Sequence, residues 1–170
     1  MPVVYLGIGR NIQRNENIAL ALSRLRTHYP DIECSSVYET ESYGFEGDHF
    51  YNLVARFFTT ETPQQVKSFL REIEFQQGRP AKAEKFKPRT IDLDFLLYGD
   101  LVSNESGMQI PREDVLLYSF VLEPIAELAP DEYYPGGDKT YKELWNGFLK
   151  NKTPVKARKM SWSPLLETTV

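Results

Sequence analysis

The residues with the most chemical potential in this chain are two aspartates one residue apart, in Pro88-Arg89-Thr90-Ile91-Asp92-Leu93-Asp94-Phe95-Leu96-Leu97-Tyr98-Gly99. The run from Thr90 to Tyr98 reads as a strand ended by Gly99-Asp100. A strand alternates its faces, so Asp92 and Asp94 would project together, with Ile91, Leu93 and Phe95 opposite and a Cα separation of roughly 6.6 Å between the two acids. That spacing suits a shared group of hard cations, and magnesium, which takes a few carboxylates plus phosphate oxygens and water, fits best. Just before them, Arg79, Lys82, Lys85, Lys87 and Arg89 fall within eleven residues bounded by Pro80 and Pro88. Prolines at both ends make this a cationic loop and not a helix. Acid pair and basic loop together suggest a site for a magnesium nucleotide and phosphoryl-type chemistry. The plain alternative is a solvated edge strand with its ordinary salt-bridge partners. Against it, like charges so close in an apolar strand repel unless a cation joins them.

The elements that must position these groups are legible in outline. Val3 to Ile8 reads as a buried strand closed by Gly9, and the spacing of Ile18, Leu22, Leu25 and Tyr29 predicts a helix from about Asn15 to the stop at Pro30. Cys34 to Thr40 and Phe50 to Thr59 read as two strands, separated by a loop from Glu41 to His49. Thr62, Pro63 and Gln65 form a capping box with proline at the first helical position, Val66, Phe69, Leu70 and Ile73 give that helix its apolar face, and Gly78 ends it. Leu116 to Leu128 reads as a helical region interrupted by Pro124, and Thr140 with Glu143 caps another helix. The order strand, helix, strand, strand, helix, strand matches the ferredoxin-like motif: an α+β fold with an antiparallel sheet and helices on one face. Residues 1–150 are expected to form one domain, followed by a basic tail over residues 151–170.

Composition narrows the partners. The 20 basic and 24 acidic residues are mixed along the chain and give a net charge of -4, which offers no footprint for a nucleic-acid backbone. A single cysteine, Cys34, permits no internal disulfide, and His28 and His49 are too few for a histidine metal site. With no leader pattern and no apolar run of membrane length, the expectation is a cytoplasmic protein with no membrane or obligatory protein partner.

Several segments, in order, resemble the 6-hydroxymethyl-7,8-dihydropterin pyrophosphokinase family over roughly residues 3–145. They are Tyr5-Leu6-Gly7-Ile8-Gly9-Arg10-Asn11, Ser36-Val37-Tyr38-Glu39-Thr40, Phe50-Tyr51-Asn52-Leu53-Val54, Glu74-Phe75-Gln76-Gln77-Gly78-Arg79, the Pro88 to Gly99 stretch, Phe120-Val121-Leu122-Glu123-Pro124 and Ala129-Pro130-Asp131. The resemblance implies transfer of the pyrophosphoryl group of ATP to the hydroxymethyl group of the pterin, giving AMP and the pterin diphosphate in folate biosynthesis. It implies that Asp92 and Asp94 hold two Mg2+ ions, with Arg79 and Arg89 sharing the catalytic work. Phe50 and Phe120 would sandwich the pterin, read by Thr40, Asn52 and the backbone near Tyr43, with Phe86 standing where the family often has tryptophan. ATP would meet Glu74, Arg79, Lys82, Arg89 and Arg112. The chain departs from the family pattern at Ala81, Arg112 and Tyr118, where arginine, histidine and arginine are usual, and also at Lys87, Arg10 and Glu41. These departures leave a second reading open, a paralogue that keeps pterin or nucleotide binding with altered or lost transfer. A third is a ferredoxin-like binding domain with no catalytic task.

Overall fold

The computed structural model describes residues 1–10, 14–40, 50–78, 91–152 and 157–159. Three long antiparallel strands form its centre: β1 (Val3–Arg10), flanked by β4 (Phe50–Phe58) and by β5 (Asp92–Tyr98). Short strands β2 (Glu33–Cys34) and β3 (Tyr38–Thr40) pair with β4, and β8 (Ala157–Lys159) pairs with β3. The resulting order, β5-β1-β4-β3-β8, is that of a ferredoxin-like sheet extended by one edge strand. A hairpin, β6 (Ser103–Glu105) with β7 (Met108–Ile110), stands beside it.

Alternation along β1 explains why both faces are covered. Val4, Leu6 and Ile8 point to one side, where they pack with Ile18, Leu22 and Leu25 of α1 (Arg14–His28) and Val66, Leu70 and Ile73 of α2 (Pro63–Gln76). Tyr5 points to the other, among Val121, Leu122 and Ile125 of α4 (Ser119–Leu128) and Tyr141 and Phe148 of α5 (Tyr141–Asn151). The expectation of helices on one face is therefore corrected: α1 and α2 cover one side, α4 and α5 the other. The reason is the apolar character of β1, too continuous for a strand with a solvated face. A register shift between Tyr5 and Leu6 in the β1–β5 pairing puts both Leu96 and Leu97 in the second core. A bulge of this kind breaks the alternation.

Two further boundaries differ from the sequence reading. Cys34 to Thr40 is not one strand, because residues 35–37 separate β2 from β3. The Ser35 hydroxyl accepts the Val54 N–H, and the Ser35 N–H donates to the Val54 carbonyl, so a paired contact across the sheet, one half of it through a side chain, stands in for the ladder. Pro124 does not interrupt its helix either. The break lies at Tyr118, extended between α3 (Asp114–Leu117) and α4. One missing donor at Pro124 costs less than the burial of Val121, Leu122 and Ile125 contributes. Both expected capping boxes form, at Thr62 with Gln65 and Thr140 with Glu143, and Gly78 takes the positive φ of 104° that closes α2. In the tail region, residues 157–159 are the edge strand β8.

Candidate active site: two clefts with shared aspartates

Two clefts open beside the N-terminal half of β5, one of them also along the C-terminal half of β1, and both are lined by Asp94 and Asp114. The first, about 590 Å³, is bounded by Gly7 and Gly9 of β1, Thr40 of β3, Phe50 and Asn52 of β4, Asp92 and Asp94 of β5, and Tyr118 and Phe120 at the start of α4. Its wall is mainly apolar. The Tyr118 and Phe120 rings stack, with centroids 5.2 Å apart and planes 18° from parallel. Asn52 donates through Nδ2 to the Thr40 hydroxyl at 3.3 Å, fixing a polar edge inside an aromatic slot. Asn52 pairs with Gly9 across β1 and β4, and a Cβ built on Gly9 would stand 2.8 Å from the Asn52 Oδ1. Glycine is what leaves that amide its place.

The second cleft, about 480 Å³, lies between α2, β5, the β6–β7 hairpin and the turn into α3. Its lining is charged: Lys67, Arg71 and Glu74 from α2, Asp94 from β5, and Arg112, Glu113 and Asp114 after β7. The Arg112 N–H donates to the Leu96 carbonyl at 2.9 Å, which holds its side chain alongside β5. From there its guanidinium reaches Asp114 at 3.0 Å and Asp94 at 3.8 Å. One oxygen of the buried Glu74 carboxylate accepts the Leu93 N–H at 3.2 Å, tying α2 to the acidic strand, and the other faces Arg71 at 3.6 Å.

Asp92 and Asp94 do share a face. Their side chains remain 37% and 44% exposed, respectively. Each nevertheless has an arginine close by, since Arg10 stands 3.5 Å from Asp92 as Arg112 does near Asp94. Burial pushes the Asp94 carboxyl above its usual value and the Arg112 guanidinium opposes this, while Asp92, Asp114 and Glu74 add to the rise. Such crowding of negative charge in a half-buried place favours a bound cation over an empty site. Among the described residues no group of three or more His, Cys, Asp or Glu side chains could hold a metal ion by itself. Two carboxylates with open space in front of them do fit a hard divalent ion that takes its remaining ligands from phosphate and water.

Of the residues singled out from sequence, Thr40, Phe50, Asn52, Asp92, Asp94 and Phe120 come together around the first cleft, and Glu74 and Arg112 around the second. Tyr43, Arg79, Lys82, Phe86 and Arg89 lie outside the described residues, as do Glu41, Ala81, Lys85 and Lys87. Sequence reasoning missed Lys67 and Arg71, which lie one helical turn apart on α2 beside its buried stripe, and Asp114, which lines both clefts. Helical spacing could have placed the first two on one face; nothing local marks Asp114. Tyr118, read as a lost arginine, proves to extend the aromatic wall. The lone thiol, Cys34, is pushed up to about 12 by burial and is no nucleophile.

Residues 5–130 match the family model of 7,8-dihydro-6-hydroxymethylpterin-pyrophosphokinase. A 2-amino-4-hydroxy-6-hydroxymethyldihydropteridine pyrophosphokinase from Aquifex aeolicus is 33% identical over 148 residues, covering 85% of this chain and 91% of the relative. The enzyme of that name from Pseudomonas aeruginosa is 32% identical over 139 residues, covering 79% and 85%. The bifunctional protein FolKE of Lactococcus lactis is 33% identical over 150 residues, but this chain spans only 43% of its length. Among solved structures, a Plasmodium falciparum HPPK-DHPS triple mutant with STZ-DHP superposes with a TM-score of 0.72 at 13% identity, covering 93% of this chain and 46% of that one. That likeness speaks for the fold alone.

Proposed function

This chain belongs to the 7,8-dihydro-6-hydroxymethylpterin-pyrophosphokinase family, and we propose that its two clefts divide that family's reaction, pterin in the apolar one and ATP in the charged one. The enzyme is an ATP-dependent diphosphokinase: it transfers the pyrophosphoryl group to the hydroxymethyl group of the dihydropterin in folate synthesis. The hydroxyl oxygen forms a bond to the β-phosphorus, the bond from that phosphorus to the oxygen bridging the α-phosphate breaks, and AMP departs with the bridging oxygen. The hydroxyl proton is lost, and no covalent enzyme intermediate is needed.

The observation that carries this division is that Asp94 lines both clefts at their junction. The flat pterin fits the slot beside Phe50 and Phe120, where offset stacking and burial favour a planar heterocycle. Thr40 and Asn52 offer it a hydrogen-bonding edge. ATP fits the second cleft with Lys67, Arg71 and Arg112 as counter-charges, and Arg112, half exposed, can turn its planar fork toward phosphate oxygens. Arg79, Lys82 and Arg89 belong to the same nucleotide-binding reading, with Arg79 and Arg89 among its catalytic groups. Tyr43 and Phe86 belong to the pterin side.

Asp92 and Asp94 are the groups that would hold two Mg2+ ions, and ions bound there would neutralise charge on the phosphates as the transfer proceeds. The protein's own part is positional. Strand β5 keeps both carboxylates on the cleft side, and the aromatic wall excludes water from one flank. Titration with a non-hydrolysable ATP analogue tests the arrangement. Binding should depend on magnesium in the wild type and lose that dependence in Asp92→Asn and Asp94→Asn. Undiminished magnesium-dependent binding in both variants would end the metal assignment.

A further inference from the structure

The two arginines beside the acidic pair differ in what they are able to do. Arg112 sits 3.8 Å from Asp94 with 45% of its side chain exposed, and it already divides itself between Asp94 and Asp114. It can leave when a phosphate offers a better partner. Arg10 Nη1 lies 3.5 Å from Asp92 Oδ2, and only 7% of its side chain is exposed. It is the last residue of β1, whose preceding residue, Gly9, pairs with Asp92 on one side and Asn52 on the other. A guanidinium keeps its charge at every working pH, and one that is nearly buried at the end of a strand paired on both sides is held in place beside Asp92.

We propose that Arg10 is a resident counter-cation of the acidic pair, a permanent positive charge that lowers the affinity of Asp92 for a free divalent ion. Asp92 then takes a metal firmly only when the ion arrives with the negative charge of the nucleotide. Its neighbour Asp94, whose arginine can move away, has no such restriction. Arg10 is thus a specificity-determining residue that favours the metal–nucleotide complex over the bare cation. This rests on the metal assignment made above for Asp92 and Asp94.

The test is a titration of the full chain with Mn2+ alone, without nucleotide or pterin, following free Mn2+ by its electron paramagnetic resonance signal. Arg10→Gln and Arg10→Met remove the charge in two different shapes, and Arg10→Lys keeps it. Removing a cation 3.5 Å from a carboxylate should tighten Mn2+ binding by about tenfold in both uncharged variants. Arg10→Lys should stay within about twofold of the wild type, because the charge is retained. A merely structural role predicts that all three variants weaken binding or leave it alone, and that result overturns the proposal. Should one uncharged variant fail to fold by circular dichroism, the other still decides. Asp92→Asn and Asp94→Asn serve as the separate control. If they leave Mn2+ binding of the wild-type background untouched, the metal assignment itself is wrong, and the role of Arg10 falls with it.

Discussion

The apolar cleft and the charged cleft share Asp94 and Asp114, yet they are made of different kinds of element. Strands supply most of the first: Gly9, Thr40, Asn52 and Asp92 are fixed by ladder pairing, and two stacked rings at the start of α4 close it. Long charged side chains on a helix, a hairpin and a turn supply the second, among them Arg71 and Arg112, each about half exposed. A rigid slot suits a flat ring whose edge must be read in one orientation. Movable cations suit a polyphosphate, which needs charge more than shape. The difference shows how one sheet can offer a preformed pocket and an adaptable one within reach of the same carboxylate.

Asp94 belongs to both clefts, so Asp94→Asn should break the comparison altogether. We expect AMP formation from ATP and 6-hydroxymethyl-7,8-dihydropterin to fall by about a hundredfold or more, measured in a folded variant. A loss confined to one ligand's affinity, with turnover intact, would contradict its position at the junction.

The next two changes should separate the clefts. Arg112→Ala is expected to weaken binding of a non-hydrolysable ATP analogue roughly tenfold, the loss of a charge-assisted contact, and to leave pterin binding as it was. Phe120→Ala should do the reverse, loosening the pterin by roughly three- to tenfold through lost stacking with no change for the nucleotide. Calorimetry with each ligand alone reads both, and crossed effects would mean that the clefts are one site.

A finer cut is Gly9→Ala. Its new Cβ, 2.8 Å from the Asn52 Oδ1, must push that amide aside, so pterin affinity should drop by about threefold or more for want of one hydrogen bond. ATP-analogue binding should not move. Equal affinity in the variant would show that Asn52 does not read the pterin edge.

The smallest effect on either cleft is expected from Glu61, outside both. Desolvation works to raise its carboxyl, but hydrogen bonds from Tyr29 and His28 prevail and hold it below the usual value. A lowered folded value means that the stabilisation is present above the unfolded carboxylate range and is lost as pH falls through the folded one. Urea midpoints should therefore drop on acidification below about pH 4.5, and Glu61→Gln should flatten that limb. Ligand affinities near neutrality should be unaltered, which would mark this cluster as scaffold.

How much was legible beforehand varied with how local the cause was. The two capping boxes, the Gly78 stop and the shared face of Asp92 and Asp94 follow from short-range geometry and were readable from a few neighbouring residues. The break in the strand before Thr40 was not, because it depends on Ser35 finding Val54 across the sheet. Nor was the role of Tyr118, whose ring has meaning only once Phe120 is known to lie beneath it.

Taken alone, the order of residues determined the strand bearing the acidic pair and the ferredoxin-like sequence of elements. Only the tertiary structure decided that helices cover both faces of the sheet, that Lys67 and Arg71 turn toward the second cleft, and that Arg10 meets Asp92. The reason is range. Alternation and capping act over a few residues and leave their mark in the string, whereas a guanidinium at position 10 and a carboxylate at position 92 are brought together by the pairing of β1 with β5, which no local pattern encodes.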